Sequence, residues 1–224
     1  VVGDSLTVGT DYFGKLSNKL SALNVWTNVV VDAKVGRKTG AGGDELKKLL
    51  KTYPNTTAVV IALGTNDMIV HSERSYPNTS LQNILSVSGN LPILWVNPTF
   101  SPTIHSDWLV RAKRMNALLA TTASSKTNFY VADWAKYFVP KGPSRFISDG
   151  VHLTVSGYKT RTTFMVDQIS RFGQTIVLAT TTTTSTTTST STTMPASSSS
   201  TSTSSSSSST STLASTTTVS PTTT

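Results

Sequence analysis

The stretch TTAVVIALGTND, residues 56–67, decides the fold. Its centre is an apolar, β-branched run, which predicts a strand that ends at Gly64. Similar segments stand on either side of it. VVGDSL (1–6) reads as the end of a short buried strand running into a turn. VWTNVVVDA (25–33), LPILWVNP (91–98) and TNFYVADW (127–134) read as further strands. Between the strands lie helical patterns. DYFGKLSNKLSAL (11–23) carries Tyr12, Phe13, Leu16, Leu20 and Leu23 at helical spacing. DELKKLLKTY (44–53) has Asp44 and Glu45 in its first turn and lysines later, as the helix dipole favours. SLQNILSVS (80–88) predicts a helix, DWLVRAKRMNALLATTA (107–123) predicts an amphipathic one, and a loop plus a last helix fill 148–172. KVGRKTGAGG (34–43) reads as a glycine-rich loop. Strands alternating with helices imply parallel strands joined by right-handed crossovers. The expected fold is α/β, a three-layer α/β/α sandwich around a five-stranded parallel sheet. Reactive groups in such sheets lie at the carboxyl ends of the strands. Ser5, Gly36, Asn66 and Asn97 each follow a predicted strand and are expected to share one rim.

Composition divides the chain. From Thr180 onward, 38 of 45 residues are Ser or Thr, with no charge and no aromatic ring. Such a segment cannot bury enough apolar surface to offset its ordering entropy. The expected folding unit is therefore 1–174, followed by a disordered Ser/Thr-rich tail over 175–224 that resembles a mucin-like stalk. All 19 basic and 11 acidic residues fall in the folding unit, so the net charge of +8 belongs to it. Anionic partners such as wall polymers are compatible with that charge. Nucleic acid is not expected, because KLSNKL (15–20), GRKTG (36–40) and LKKLLK (46–51) are short clusters without interleaved aromatics. The absence of cysteine excludes disulfides, thiol catalysis and thiolate metal sites. No apolar run approaches the ~20 residues that span a bilayer. Two valines are few for a central strand of ~5 residues, so the first strand is expected to be short and the chain a fragment of a longer protein. NTT at 55–57 and NTS at 78–80 fit the N-glycosylation pattern.

Four short blocks stand in order at strand ends or before the last helix: GDSL at 3–6, the glycine of KVGRKTG at 36, GTND at 64–67 and DGVH at 149–152. Together they resemble the GDSL or SGNH hydrolases, and the similarity covers nearly all of 1–174. The chemistry of the residues agrees with that resemblance. A serine hydroxyl needs a base to become a nucleophile, and His152 is the natural base near neutral pH. Asp149, three residues earlier in a glycine-containing loop, can fold back onto the imidazole and fix its tautomer. The resemblance implies a Ser5–His152–Asp149 triad. It also implies an oxyanion hole from the Ser5 and Gly36 backbone N–H groups and the Asn66 side-chain amide.

Each residue also has a plainer reading. Ser5 could cap the first helix, and Asn66 could make an Asx turn. Asp4, Thr65, Asp67 and Asn97, at the same strand ends, are candidates for substrate contact, although Asp4 also suits a role bracing its turn. Asp4 and Asp67 raise the thought of Mg²⁺. No histidine cluster accompanies them, and the family needs neither metal nor cofactor. His71 and His105 read as surface residues.

The expected activity is that of a serine esterase. The loops MIVHSERSYPNTS (68–80) and NPTFSPTIHSDW (97–108) should line the acyl pocket. They are short and polar, which points to a small acyl group such as acetyl on a carbohydrate or surface glycan. An O-acyltransferase domain, a lipase or lysophospholipase, and an inactive carbohydrate-binding or adhesion module are the alternatives. A monomer outside the cell or at its surface is expected.

Overall fold

The computed structural model describes residues 1–186, with side chains to Ala179. In chain order the elements are β1 (Val2–Gly3), α1 (Ser5–Gly14), α2 (Leu16–Ser21), β2 (Asp32–Ala33), α3 (Thr39–Thr52), β3 (Val59–Ala62), α4 (Thr65–Val70), α5 (Tyr76–Ser88), β4 (Ile93–Val96), α6 (Ser106–Ser125), β5 (Phe129–Ala132), α7 (Trp134–Phe138) and α8 (Val155–Thr186). The five strands form one sheet in the order β2-β1-β3-β4-β5, and every pairing is parallel. This is the expected α/β/α architecture. The chain runs outward from β1 to β2 and then back across it to β3. The carboxyl ends of β1 and its two neighbours therefore flank a topological switch point.

The two-residue period of a strand explains why the sheet is apolar on both faces. Along β3, Val60 and Ala62 join the core that includes Leu6, Leu16, Leu20, Trp134, Phe138 and Met165, so they face α1, α2, α7 and α8. Val59 and Ile61 join Leu46, Met68, Leu81, Ile84 and Met115, the core under α3, α4, α5 and α6. A mutually buried pair of charged groups lies behind the first strand. Asp4 and Arg161 are 1% and 2% exposed. Burial raises the Asp4 carboxyl, opposed by Arg161. Burial also lowers the Arg161 guanidinium to about 10, with Asp4 acting in the other sense.

Several elements depart from expectation. β2 is two residues long, whereas the β-branched run predicts a longer strand. Among the described residues its only strand neighbour is β1, itself two residues, so few ladder positions exist. The first helical pattern is split. Lys15 sits at φ 59, and α2 starts afresh behind it. The turn buries Leu16 and Leu20 completely while Tyr12 stays 70% exposed. Helix α3 begins at Thr39, so the second half of the expected glycine-rich loop is helical. Its glycines serve packing. A Cβ on Gly43 would stand 2.4 Å from the Asn83 carbonyl oxygen of α5, and one on Gly42 would meet the Leu63 side chain at 2.2 Å. Gly43→Ala is therefore expected to force α3 from α5 and to destabilise the protein by about 1–3 kcal/mol. Thermal unfolding checks this, and an unchanged melting temperature would contradict so close an approach.

Helix α8 continues to Thr186, past the boundary expected at 174/175. Ile176, just past that boundary, packs against the core. The remainder of the expected disordered tail, 187–224, lies outside the described residues. Among the described residues, no helix is long and apolar enough to cross a membrane.

Candidate active site

The site begins at the end of β1. Asp4 is the N-cap of α1, and its Oδ1 accepts from the Leu6 N–H at 3.0 Å. The Thr7 and Val8 N–H groups are also taken, by the Asp4 carbonyl. Ser5 is thus the first residue of the helix and not its cap. The three N–H groups that follow it are used by Asp4. The Ser5 N–H has no acceptor among the described residues, as the first turn of a helix allows.

His152 reaches Ser5 from the far end of the chain. The segment 145–154 folds as a small hairpin, with an antiparallel bridge between Phe146 and Leu153 and a bond from Ile147 N–H to the His152 carbonyl at 2.9 Å. Gly150, at φ 66, makes the reversal. Inside it, Asp149 Oδ1 accepts the Val151 and His152 N–H groups, both at 2.9 Å. That leaves Oδ2 facing His152 Nδ1 at 2.6 Å. His152 Nε2 in turn lies 2.9 Å from Ser5 Oγ. Burial works to raise the Asp149 carboxyl, but the bonds from the His152 ring and the two backbone N–H groups outweigh it and hold the group below its ordinary value. A hydroxyl, an imidazole and a carboxylate thus form one hydrogen-bonded line, the geometry in which an alcohol can be deprotonated as it attacks.

The loops from the flanking strands bring up the other expected residues. Gly36 follows β2, is exposed and has φ 72. Nothing stands within 4 Å of where its Cβ would be, so backbone conformation alone explains the glycine. Asn66 follows β3, and its Nδ2 donates to the Arg37 carbonyl at 3.2 Å. It belongs to helix α4 and makes no Asx turn.

The four candidates for substrate contact, Asp4, Thr65, Asp67 and Asn97, are buried, and each has partners within the fold. Asp4 caps α1 and interacts with Thr65, itself 3% exposed. Asp67, 0% exposed, accepts the Thr39 N–H at 3.0 Å, the Thr39 hydroxyl at 2.6 Å and the Ser80 hydroxyl at 3.3 Å. It therefore supplies the anion that the start of α3, lacking its own side-chain cap, requires. Asn97 bonds Asp133 at 2.9 Å and accepts the Ala135 N–H at 2.9 Å, tying β4 to α7. A strand end places a residue at the rim, but the orientation of its side chain depends on the neighbouring loop.

Two residues near the site carried no sequence signal. Arg37 is 7% exposed. His105, read as a surface residue, stacks on Trp108 at 3.5 Å and donates from Nε2 to the Asp149 carbonyl at 2.8 Å. His71 likewise stacks on Tyr76 at 3.5 Å. Nothing in local spacing marks either ring, because both partnerships depend on how the loops fold back.

The sheet order and the placement of these groups define the α/β/α hydrolase class typified by GDSL and SGNH enzymes. A model of the GDSL-like lipase/acylhydrolase family matches residues 1–160, and the chain belongs to that family. It is accordingly an esterase-type enzyme by family. Among curated relatives, YrhL of Bacillus subtilis (strain 168) is 30% identical over 145 residues, which are 63% of this chain and 20% of YrhL. The O-acetyltransferase OatA of Staphylococcus aureus (strain NCTC 8325 / PS 47) is 28% identical over 167 residues, 74% of this chain and 24% of OatA. The chain thus spans about a fifth to a quarter of the length of these relatives. The fold is shared with a lipase/acylhydrolase from Enterococcus faecalis, at TM-score 0.61 and 21% identity over 75% of this chain and 94% of that one. It is also shared with the C-terminal catalytic domain of Streptococcus pneumoniae peptidoglycan O-acetyltransferase A, at TM-score 0.59 and 17% identity over 78% of this chain and 91% of that one.

Proposed function

We propose that the protein cleaves small acyl esters, above all acetyl esters of a carbohydrate or wall glycan, through an acyl group carried on Ser5. The observation that carries this reading is the line from Ser5 Oγ through the His152 ring to Asp149 Oδ2, with contacts of 2.9 and 2.6 Å. Ser5 Oγ attacks the ester carbonyl as its proton passes to His152 Nε2. Asp149 steadies the resulting imidazolium. The negative oxygen is received by the Ser5 and Gly36 N–H groups and the Asn66 amide, each well suited because none carries a charge of its own. Collapse breaks the bond to the alkoxy group, which takes the proton from His152, and leaves acyl-Ser5. A second hydroxyl compound then repeats the sequence in reverse.

The small acyl group is supported by the exposure of the site. The side chains of His152 and Asp149 remain 36% and 43% exposed. An open site of this kind accommodates a bulky carrier and does not enclose a long acyl chain.

Water as the second hydroxyl compound gives an esterase; a sugar hydroxyl gives an O-acetyltransferase. The second outcome is supported by the relatives, since the two S. aureus and S. pneumoniae proteins bear O-acetyltransferase names. Action on an extracellular or surface polymer fits both outcomes, and the net charge of +8 suits an anionic one. The distinguishing experiment supplies p-nitrophenyl acetate with and without a peptidoglycan-derived oligosaccharide, and follows free acetate and acetylated sugar by mass spectrometry. Free acetate in both reactions establishes hydrolysis. Acetylated sugar that forms only with enzyme establishes transfer. Neither product, with p-nitrophenol release no faster than without enzyme, would remove the acetyl assignment.

A further inference from the structure

We propose that Arg37 is a positioning residue that sets the geometry of the oxyanion donors without touching substrate. The inference rests on the reading of Ser5 as the nucleophile and extends it to a residue to which the four sequence blocks assign no role. The Arg37 guanidinium is nearly buried, with 6% of its side chain exposed. Nη1 donates to the Gly3 carbonyl at 3.2 Å and to the Asp32 carbonyl at 3.0 Å, while Nη2 pairs with Asp32 Oδ1. One planar fork therefore ties the last residue of β1 to the first residue of β2, the two strands that deliver Ser5 and Gly36.

The backbone of the same residue acts on the other donors. The Arg37 N–H bonds the Lys34 carbonyl at 3.2 Å and closes a turn whose third residue is Gly36, at φ 72. Turns of this form need glycine at that place, and the closing bond orients its peptide plane. The Arg37 carbonyl accepts one proton of the Asn66 amide, which leaves the second proton to point elsewhere. It also decides which way the amide lies, because a flipped Asn66 would set oxygen against oxygen. Side chain, N–H and carbonyl of one residue thus link the three donors. A misplacement of about 1 Å in such a site costs on the order of 10² in rate.

The test measures kcat and KM for p-nitrophenyl acetate in Arg37→Lys, Arg37→Met and Asp32→Asn, each alone and in an Asn66→Ala background. Lysine keeps the charge but has one nitrogen in place of the planar fork whose Nη1 and Nη2 hold the two strands, so both Arg37 variants are expected to lose ~10–10²-fold in kcat with KM within about 3-fold. Asp32→Asn acts at a side chain 32% exposed and removes only the charge that anchors the fork, with a loss of ~3–10-fold expected. It keeps the test open if an Arg37 variant does not fold. Asn66→Ala alone should lose ~10²–10³-fold. Combined with an Arg37 variant, the loss should fall short of the product of the single losses by at least about 5-fold, because one of the groups that Arg37 orients is then missing. Fully multiplicative losses, or a loss confined to KM, would overturn the proposal. An inactive Ser5→Ala beside Arg37 and Asp32 variants with wild-type kcat would overturn this inference alone. A fully active Ser5→Ala would remove the underlying reading with it.

Discussion

Replacing Ser5 with alanine is expected to lower turnover of p-nitrophenyl acetate by at least ~10⁴-fold. The melting temperature should stay within about 2 °C of the unsubstituted protein. Both halves of this expectation follow from the position of the residue. Ser5 stands at the first position of α1, where the one hydrogen bond of its Oγ among the described residues is with His152 Nε2. The cap is made by Asp4, so alanine at position 5 removes no helix-stabilising bond and opens no internal cavity. Its backbone N–H stays in place, and the oxyanion donors survive to provide residual catalysis. A second measurement separates loss of the nucleophile from loss of substrate binding. Methanesulfonyl fluoride should add one sulfonyl group to the intact protein, with fluoride leaving, and none to Ser5→Ala. Retention of turnover, or sulfonylation of the variant, would show that another group attacks.

Asp149→Asn should reduce kcat by ~10³–10⁴-fold although it changes a single atom. The reason is the way the carboxylate is held. Its Oδ1 accepts two backbone N–H groups, from Val151 and His152. Only oxygen can occupy that place, so an asparagine must turn its NH₂ toward His152 Nδ1. That nitrogen then has to accept, and the ring proton moves to Nε2, the atom that must receive the proton of Ser5. The substitution therefore installs the wrong tautomer while leaving the loop folded. Nuclear magnetic resonance of the His152 ring reads the tautomer directly, and an unchanged Nδ1-protonated ring would refute the argument. The pH dependence has a definite sign. The Asp149 carboxyl is depressed below its ordinary value of 3.8. Its contribution to stability is thus fully present above that value and fades as the pH falls through the lower one. Unfolding curves of the two proteins should converge in that acid range and run parallel above it.

The legible parts of the molecule were those in which short-range pattern and long-range structure agree. The apolar run around Val59–Ala62 could only be a buried strand, and its alternation divides cleanly between the two cores. GDSL, GTND and DGVH were legible because each lies beside a boundary where a strand or loop meets a helix. The glycine-rich segment 34–43 was not. Glycine allows turns and close helix packing equally well, and the contact of Gly43 with Asn83 that selects between them comes from a helix about 40 residues away. The helical pattern over 11–23 was legible, but its break at Lys15 was not; Gly14 lies so close to Thr162 of α8 that a Cβ would find no room, and that neighbour is remote in sequence.

Strand and helix order, the family and the identity of the chemical groups were determined by the sequence alone, since all of them depend on residue type and on spacing along the chain. The direction in which each rim side chain points was decided only by the tertiary structure. Asp67 and Asn97 turn inward to partners on other elements, Arg37 is drawn under the site, and His105 closes on the Asp149 carbonyl. A buried polar group must find a partner wherever the fold puts one, and that partner is generally remote in sequence.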